Sequence, residues 1–178
     1  QKRPQCLFEE RELSVDECAG YLQKAISLLK SQTAASDGSE GPLKVIITVS
    51  PIRYAKYGYH GSQLSKATLL LAADKLVKEN PGVVSYFPAY EIMNDELRDY
   101  RFYKEDMLHP SEQAVEYIWE RFRATYFGKA AEQFLEDWRP IREALGHKPF
   151  HPESEEHQKF IARTEEKKRQ FEEKYHLL

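Results

Sequence analysis

Two short apolar runs on either side of one long helical segment constrain this chain more than any other feature. The first run, 44–49, is rich in β-branched residues and ends at Ser50-Pro51, where proline cannot continue a central strand. The second run, 83–87, ends at Pro88. Apolar runs without alternation are typical of parallel strands that are covered on both faces. The two runs therefore predict parallel strands of one sheet, adjacent or one strand apart.

The segment between the runs predicts a crossover helix over 63–79. Apolar residues recur there at helical spacing, at Leu64, Ala67, Leu71 and Ala72. Three helix breakers in a row, Asn80-Pro81-Gly82, end the helix. A strand, a helix and a second strand in this order form a βαβ unit, which predicts an α/β fold.

The predicted loop 52–62 leaves the carboxyl end of the first strand. Open α/β sheets bind their ligands at that end of the strands. Arg53 is therefore a candidate to hold an anionic or carbonyl group of a substrate, and an exposed surface arginine is the alternative interpretation. His60 and Ser62 are interpreted as ordinary polar residues of the loop, and Ser50, held before a proline, is a poor candidate nucleophile.

Two capping signals predict further helices. Ser14 with Glu17 has the form of a capping box and predicts a helix over 15–31. Ser111 is a good N-cap and predicts a helix over 111–126. A short helix over 91–99 and a loop should precede Ser111.

That loop contains the candidate chemistry, an Asp-x-x-His tetrad formed by Asp106 and His109. A carboxylate and an imidazole at this spacing can meet on one face of a turn. A carboxylate that accepts Nδ1–H fixes the histidine tautomer and leaves Nε2 to take a proton from a nucleophile. A solvated turn without chemistry is the alternative interpretation of such a tetrad.

Charge and cysteine content restrict the function classes. The formal net charge of −3 argues against a dedicated nucleic-acid surface, and no apolar run reaches the roughly 18 residues of a membrane span. Neither Cys6 nor Cys18 has a second thiol or a histidine at ligand spacing. We therefore expect no metal, no cofactor and a reducing, cytoplasmic location, with Cys18 in the core.

The last 51 residues, 128–178, predict helices. The final segment, 153–175, mixes acids and bases on a helical frame with few apolar positions. We interpret it as a solvated helix or as an arm that packs on another subunit, which would make the protein a homo-oligomer.

Five segments, taken in order, resemble the GSCFA family. They are TVSPIR (48–53), LSKATLLLA (64–72), YFPAYEIM (86–93), DELRDYRFY (95–103) and DMLHPSEQA (106–114). The resemblance implies an SGNH/GDSL-type hydrolase with a flavodoxin-like three-layer α/β/α fold. It implies that residues 1–127 are the carboxyl-terminal portion of that domain and that 128–178 form a helical extension. It also implies that Asp106 and His109 are the catalytic acid and base.

The chain departs from the family at the nucleophile. The family is named for a Gly-Ser-Cys-Phe-Ala segment, whose serine aligns with the nucleophile, and this segment does not occur in the sequence. A Gly-x-Ser-x-Gly elbow, which would carry a nucleophilic serine, does not occur either. We therefore expect a segment outside these 178 residues to supply the nucleophilic serine, the oxyanion donors and further strands.

Three functions remain open at this stage. The leading one is an ester hydrolase or acyltransferase that acts on a small-molecule or carbohydrate ester. The second is a non-catalytic interaction module that retains the fold. The third is a metal hydrolase built from His60, Asp106 and His109, although these residues have no recognised ligand spacing.

Overall fold

The computed structural model describes residues 3–33, 42–150 and 153–177. It is mostly helical with one small parallel sheet. The elements are α1 (Val15–Thr33), β1 (Val45–Ile47), α2 (Gly58–Glu79), β2 (Val84–Tyr86), α3 (Ala89–Glu91), α4 (Glu112–Tyr126), α5 (Lys129–Gly146) and α6 (Glu155–Lys174). The chain divides into two compact units, Gln1–Glu120 and Arg121–Leu178.

The predicted parallel pairing of the two apolar runs is confirmed. β1 lies directly beside β2, with Val45 opposite Val84 and Ile47 opposite Tyr86. The strands are shorter than the apolar runs that predicted them. A two-strand parallel sheet crossed by helices is compatible with an α/β fold.

One face of the sheet carries the main core of the first unit. Ala19 and Ile26 of α1, Ala72 and Leu76 of α2, and Val84 of β2 are buried together there. Cys18 packs against this cluster, as predicted for a core cysteine, whereas Cys6 is exposed. On the other face Ile46 is 39% exposed. The apolar run predicts that both faces of β1 are covered. In the described part of the chain, the face that carries Ile46 is instead exposed.

The capping box that predicts α1 is present. The Ser14 backbone N–H donates to the Glu17 carboxylate at 2.9 Å, and the Glu17 N–H donates to Ser14 Oγ at 3.2 Å. These two bonds satisfy backbone donors at the start of the helix that have no partner within it. A local sequence signal therefore sets where α1 begins.

The helix α2 differs from its prediction in its start and in its buried face. It begins at Gly58 rather than at position 63, so part of the predicted loop 52–62 is helical. Leu64 and Leu71 of the predicted apolar stripe are 56% and 58% exposed. Leucine and alanine occur all around this helix, so hydrophobic spacing alone does not distinguish the face that meets the sheet.

The helix predicted at 91–99 is present in a less regular form. The three residues of α3 continue into a π-helical segment, Ile92–Leu97. Arg98 then adopts a left-handed conformation with φ of 49°, which ends the helix. Met93 of this segment packs in a second core cluster with Phe102 and Ala114.

The second unit contains an antiparallel hairpin of α5 and α6. Phe134 and Trp138 of α5 contact Phe171 of α6, with ring centroids 4.9 and 5.1 Å apart. Immediately after α5, the ring of His147 lies 5.7 Å from that of Phe160, which precedes Phe171 in α6. Ascending positions on α5 thus meet descending positions on α6, so the helices run in opposite directions.

Charged and helix-breaking residues are accommodated in this hairpin. Asp137 on α5 accepts hydrogen bonds from Lys174 Nζ at 2.5 Å and from the Tyr175 hydroxyl at 2.7 Å. Pro140 lies inside α5, and the helix continues to Gly146. The apolar side of α6 therefore packs on α5 of the same chain. Oligomerisation through these helices stays a prediction.

A core prediction follows from the burial of Leu76, whose side chain is fully enclosed. We expect Leu76→Ala to lower the free energy of unfolding by about 2–5 kcal/mol because it leaves a cavity. Leu71→Ala, on the exposed side of the same helix, should change it by about 0.5 kcal/mol or less. Urea denaturation followed by circular dichroism measures both, and equal losses would contradict the assignment of the buried face.

Candidate functional site

The Asp-x-x-His tetrad lies at the end of a short loop whose two sides pair with each other. Tyr103 forms an isolated antiparallel bridge with Pro110. The Lys104 N–H donates to the His109 carbonyl at 2.8 Å, and the Met107 N–H donates to the Lys104 carbonyl at 2.9 Å. Backbone bonds therefore close the loop around the tetrad. The sequence pattern predicts only an irregular loop at this place.

One oxygen of the Asp106 side chain organises the backbone of the tetrad. Asp106 Oδ1 accepts the Leu108 N–H at 2.9 Å and the His109 N–H at 3.0 Å. Aspartate commonly stabilises turns by accepting from backbone groups two and three residues ahead. Met107 between them has φ of 61°, a left-handed conformation that the tight turn imposes.

The other oxygen of Asp106 contacts the histidine ring. Asp106 Oδ2 lies 2.5 Å from His109 Nδ1. The predicted contact between the Asp106 carboxylate and the His109 ring is thus confirmed. The catalytic role of the pair stays a prediction.

Hydrogen bonding also stabilises the charged form of Asp106. The backbone N–H of His109, the backbone N–H of Leu108 and then the His109 ring lower the pKa of Asp106 to about 2. The group is therefore ionised at neutral pH and can only accept hydrogen bonds. It follows that Nδ1 of His109 carries the proton, and that in the neutral ring Nε2 is the basic nitrogen.

Solvent reaches both members of the pair. The side chains of His109 and Asp106 are 53% and 44% exposed. A histidine buried beneath α4 would have favoured a purely structural role, and the structure excludes that arrangement. Nε2 has no hydrogen-bond partner among the residues that the structure describes, so it is accessible to another group.

Arg53 lies against the tetrad, as its position after β1 predicts. Its backbone N–H donates to the Leu108 carbonyl at 3.0 Å, and its guanidinium donates to the Met107 carbonyl at 3.4 Å. The guanidinium also lies 4.0 Å above the centre of the Tyr103 ring. Arg53 therefore braces the turn that carries His109. Its predicted role in substrate binding stays a prediction.

A cavity of about 400 Å³ lies beside the turn. It is lined by Arg53, Tyr59, Ser62, Gln63, Tyr100 and Met107. A smaller cavity of about 150 Å³ shares Arg53 and Tyr100 and extends towards Asn94 and Arg98. Met107 is the member of the tetrad that lines the larger cavity, and Asp106 and His109 are not among its lining residues.

The base of the loop is anchored in the second core cluster. The Ser111 N–H donates to the Phe102 carbonyl at 2.7 Å, and Phe102 packs with Ala114 of α4. Ser111 Oγ accepts the Ala114 N–H at 3.3 Å, which confirms its predicted role as N-cap of α4. The exposed tetrad is thus carried on a loop with a buried base.

The ligand set proposed for a metal hydrolase does not assemble. His60 lies in the first turn of α2, where it is exposed. Throughout the described ranges, no three histidine, cysteine, aspartate or glutamate side chains cluster in a way that could hold a metal ion. His60, Asp106 and His109 are therefore not brought together.

Two buried polar residues of α2 near this site are not predicted from the sequence. Ser62 and Lys66 are each 8% exposed. Ser62 was interpreted as part of a polar loop, but its hydroxyl accepts the Tyr54 N–H at 3.2 Å. Both residues share a face with the buried Ala73 and Leu76, and this helical spacing is the signal that could have identified them.

The comparisons with known proteins identify the family. The model of the GSCFA family matches residues 1–122, and that of the GSCFA domain protein C-terminal domain matches residues 138–178. The chain therefore belongs to the GSCFA family. No curated protein and no solved structure matches it.

The family models and the structure both distinguish a second region near the end of the chain. The predicted division at 127 and 128 falls between the two family matches, and the compact units divide at Glu120 and Arg121.

In the part of the chain that the structure describes, none of the helices is sufficiently long and apolar to cross a membrane.

The electrostatics of Asp106 generate a pH prediction. The pKa of Asp106 in the folded chain, about 2, lies below the ordinary value of 3.8. The ionised carboxylate therefore stabilises the turn fully at pH values above 3.8, and this stabilisation is lost as the pH falls towards 2. We expect the Asp106 carboxyl carbon to titrate with a midpoint near 2 in a ¹³C NMR series, and the Leu108 amide shift to follow it. Asp106→Asn assigns the signal, and a midpoint near the ordinary value would contradict the hydrogen bonding.

Proposed function

We propose that this chain contributes the acid–base pair of a serine-dependent ester hydrolase or acyltransferase. The observation that supports the proposal most directly is the 2.5 Å contact between Asp106 Oδ2 and His109 Nδ1 in a solvent-accessible turn. An ionised carboxylate bound to Nδ1, with Nε2 accessible, is the arrangement that general-base catalysis on a hydroxyl requires.

In the proposed reaction, His109 acts through Nε2. It takes the proton of a serine hydroxyl as the serine oxygen attacks the ester carbonyl, and it returns that proton to the leaving alcohol when the ester bond breaks. A water or an acceptor alcohol then attacks the acyl-enzyme by the same route. Asp106 keeps the ring oriented and stabilises the imidazolium that forms in each half-reaction.

The nucleophile and the oxyanion donors belong to the part of the proposal that rests on family resemblance. We infer that the serine lies in a Gly-Ser-Cys-Phe-Ala segment outside these 178 residues and that it completes a flavodoxin-like three-layer fold. The two-strand parallel sheet and the position of the turn after its strands are compatible with such a fold.

The larger cavity is the proposed substrate site. Arg53 supplies N–H donors that suit a carboxylate or carbonyl oxygen, while Tyr59 and Tyr100 supply aromatic faces. Aromatic rings beside hydrogen-bonding groups suit a carbohydrate or another small polar ester. Arg53 is already held by the Tyr103 ring, which reduces the entropy that it would lose on binding.

The catalytic test uses the polypeptide that joins residues 1–178 to the serine segment. Asp106→Asn should lower ester turnover by roughly 10⁴-fold, because the ring loses the acceptor that fixes its tautomer. His109→Ala should lower it at least as much. His60→Ala is the matched control, since His60 is an exposed histidine outside the turn, and it should retain turnover.

A serine-reactive phosphonate probe gives an independent measurement on the same proteins. The unmodified protein should be labelled, and the His109→Ala variant should be labelled far more slowly, because the serine loses its base. Labelling and turnover that do not depend on His109 would refute the proposal. The protein would then be better described as an interaction module that retains the fold.

A further prediction concerns the 178-residue chain by itself. It should not hydrolyse esters, because His109 without a nucleophile and oxyanion donors has no group to activate. Assays with activated aryl esters, corrected for the rate of free imidazole, measure this. Turnover by this chain that is lost in His109→Ala would show that a nucleophile lies within these residues.

A further inference from the structure

We propose that Ser62 and Lys66, two buried polar residues one turn apart on α2, position the Asp106–His109 turn. They hold the segment 50–54, and Arg53 in the middle of that segment binds the turn. The inference concerns the geometry of the turn, and its catalytic meaning rests on the proposed function.

The two residues hold the two ends of the segment. Lys66 Nζ donates to the Ser50 carbonyl at 2.6 Å, and Ser62 Oγ accepts the Tyr54 N–H at 3.2 Å. Ser62 and Lys66 are four residues apart, so they lie on the same face of the helix. The segment is thus held against α2 at both of its ends.

The need for side-chain anchors follows from the backbone of this segment. β1 ends at Ile47, whose carbonyl accepts the Phe87 N–H at 2.8 Å. Pro51 has no N–H with which to continue such a ladder. Beyond the strand, the hydrogen bonds to Ser62 and Lys66 hold the segment 50–54 in place.

The middle of the segment transmits this position to the tetrad. The Arg53 N–H donates to the carbonyl of Leu108, the residue immediately before His109, at 3.0 Å. A shift of the segment would therefore move or break this bond. Neither Ser62 nor Lys66 contacts the His109 ring in these hydrogen bonds, so both act through Arg53 as positioning residues.

The environment of Lys66 supports a specific role. Burial lowers the pKa of Lys66, and within the described ranges no carboxylate pairs with it. The Tyr90 ring lies 5.8 Å from its ammonium group. Burying an amine without an anionic partner is unfavourable, whereas an apolar side chain would fill the same place without this cost. On the same helix, Lys78 is exposed and Lys75 is half-buried, and both pair with carboxylates.

Hydrogen exchange on the full chain tests the proposal without relying on catalytic activity. Lys66→Met keeps most of the side-chain volume and removes the donor, and Ser62→Ala removes the acceptor hydroxyl. In both variants the Arg53 and His109 amides should exchange roughly 10-fold faster or more, because their hydrogen bonds open more often. The ladder amides of Val45 and Phe87 should exchange at their original rates.

Two further variants serve as controls. Lys78→Met removes an exposed lysine from the same helix and should leave every one of these amides unchanged. Ser62→Thr keeps the hydroxyl and should restore the exchange rates that Ser62→Ala alters. The ¹⁵N shifts of the His109 ring should report a loss of the fixed Nδ1–H tautomer in Lys66→Met and not in Lys78→Met.

The test depends on which amides exchange faster in the variants. If the ladder amides accelerate as much as the Arg53 amide, Lys66 and Ser62 merely stabilise the fold, and the proposal is overturned. Unchanged exchange at Arg53 and His109 would overturn it as well. Should Lys66→Met fail to fold, the Ser62→Ala and Ser62→Thr pair decides by the same comparison. Selective acceleration without ester hydrolysis in any protein would uphold the positioning role and reject the proposed function.

Discussion

The parallel pairing of β1 with β2 is the constraint on which the candidate site depends. Parallel strands leave a sheet at the same end. The segment after β1, which carries Arg53, and the helical segment after β2, which leads to Tyr103, therefore emerge side by side. The chain between the strands must return across the sheet, and α2 makes this return. Antiparallel strands would have sent the two segments to opposite ends.

Within that frame, a single carboxylate both stabilises the turn and binds the histidine ring. One oxygen of Asp106 binds backbone N–H groups, and the other binds the His109 ring. The same contacts that shape the loop lower the pKa of the acid, so the orientation of the ring and the charge of the carboxylate that holds it have a common origin. The arrangement needs no burial, because the interacting groups are at most three residues apart.

The features that the sequence predicts well are local ones. The capping box at Ser14, the N-cap at Ser111 and the contact of Asp106 with His109 each join residues three positions apart. The parallel strands follow from two apolar runs separated by one long helical segment. In each of these cases the interacting residues are near neighbours in the chain, or a run of apolar residues identifies the element.

The features that the sequence does not predict depend on distant partners. Leucine and alanine on every side of α2 conceal the buried face, and Lys66 looks like any other lysine of a surface helix. Its partner, the Ser50 carbonyl, lies 16 positions earlier in the chain. Backbone acceptors are alike in every residue, so no side-chain pattern marks which one an ammonium group will meet.

The order of the elements also has a kinetic consequence. β1 and β2 pair residues 39 positions apart, as Val45 opposite Val84 shows, so the sheet cannot form until a long loop has closed. The hairpin of α5 and α6 closes over a short connection and should reach its helical contacts on a faster timescale. On refolding of the whole chain, we therefore expect the strand pairing that the candidate site requires to be the slower event, so that the apolar runs 44–49 and 83–87 stay unpaired after the helices of the hairpin have met.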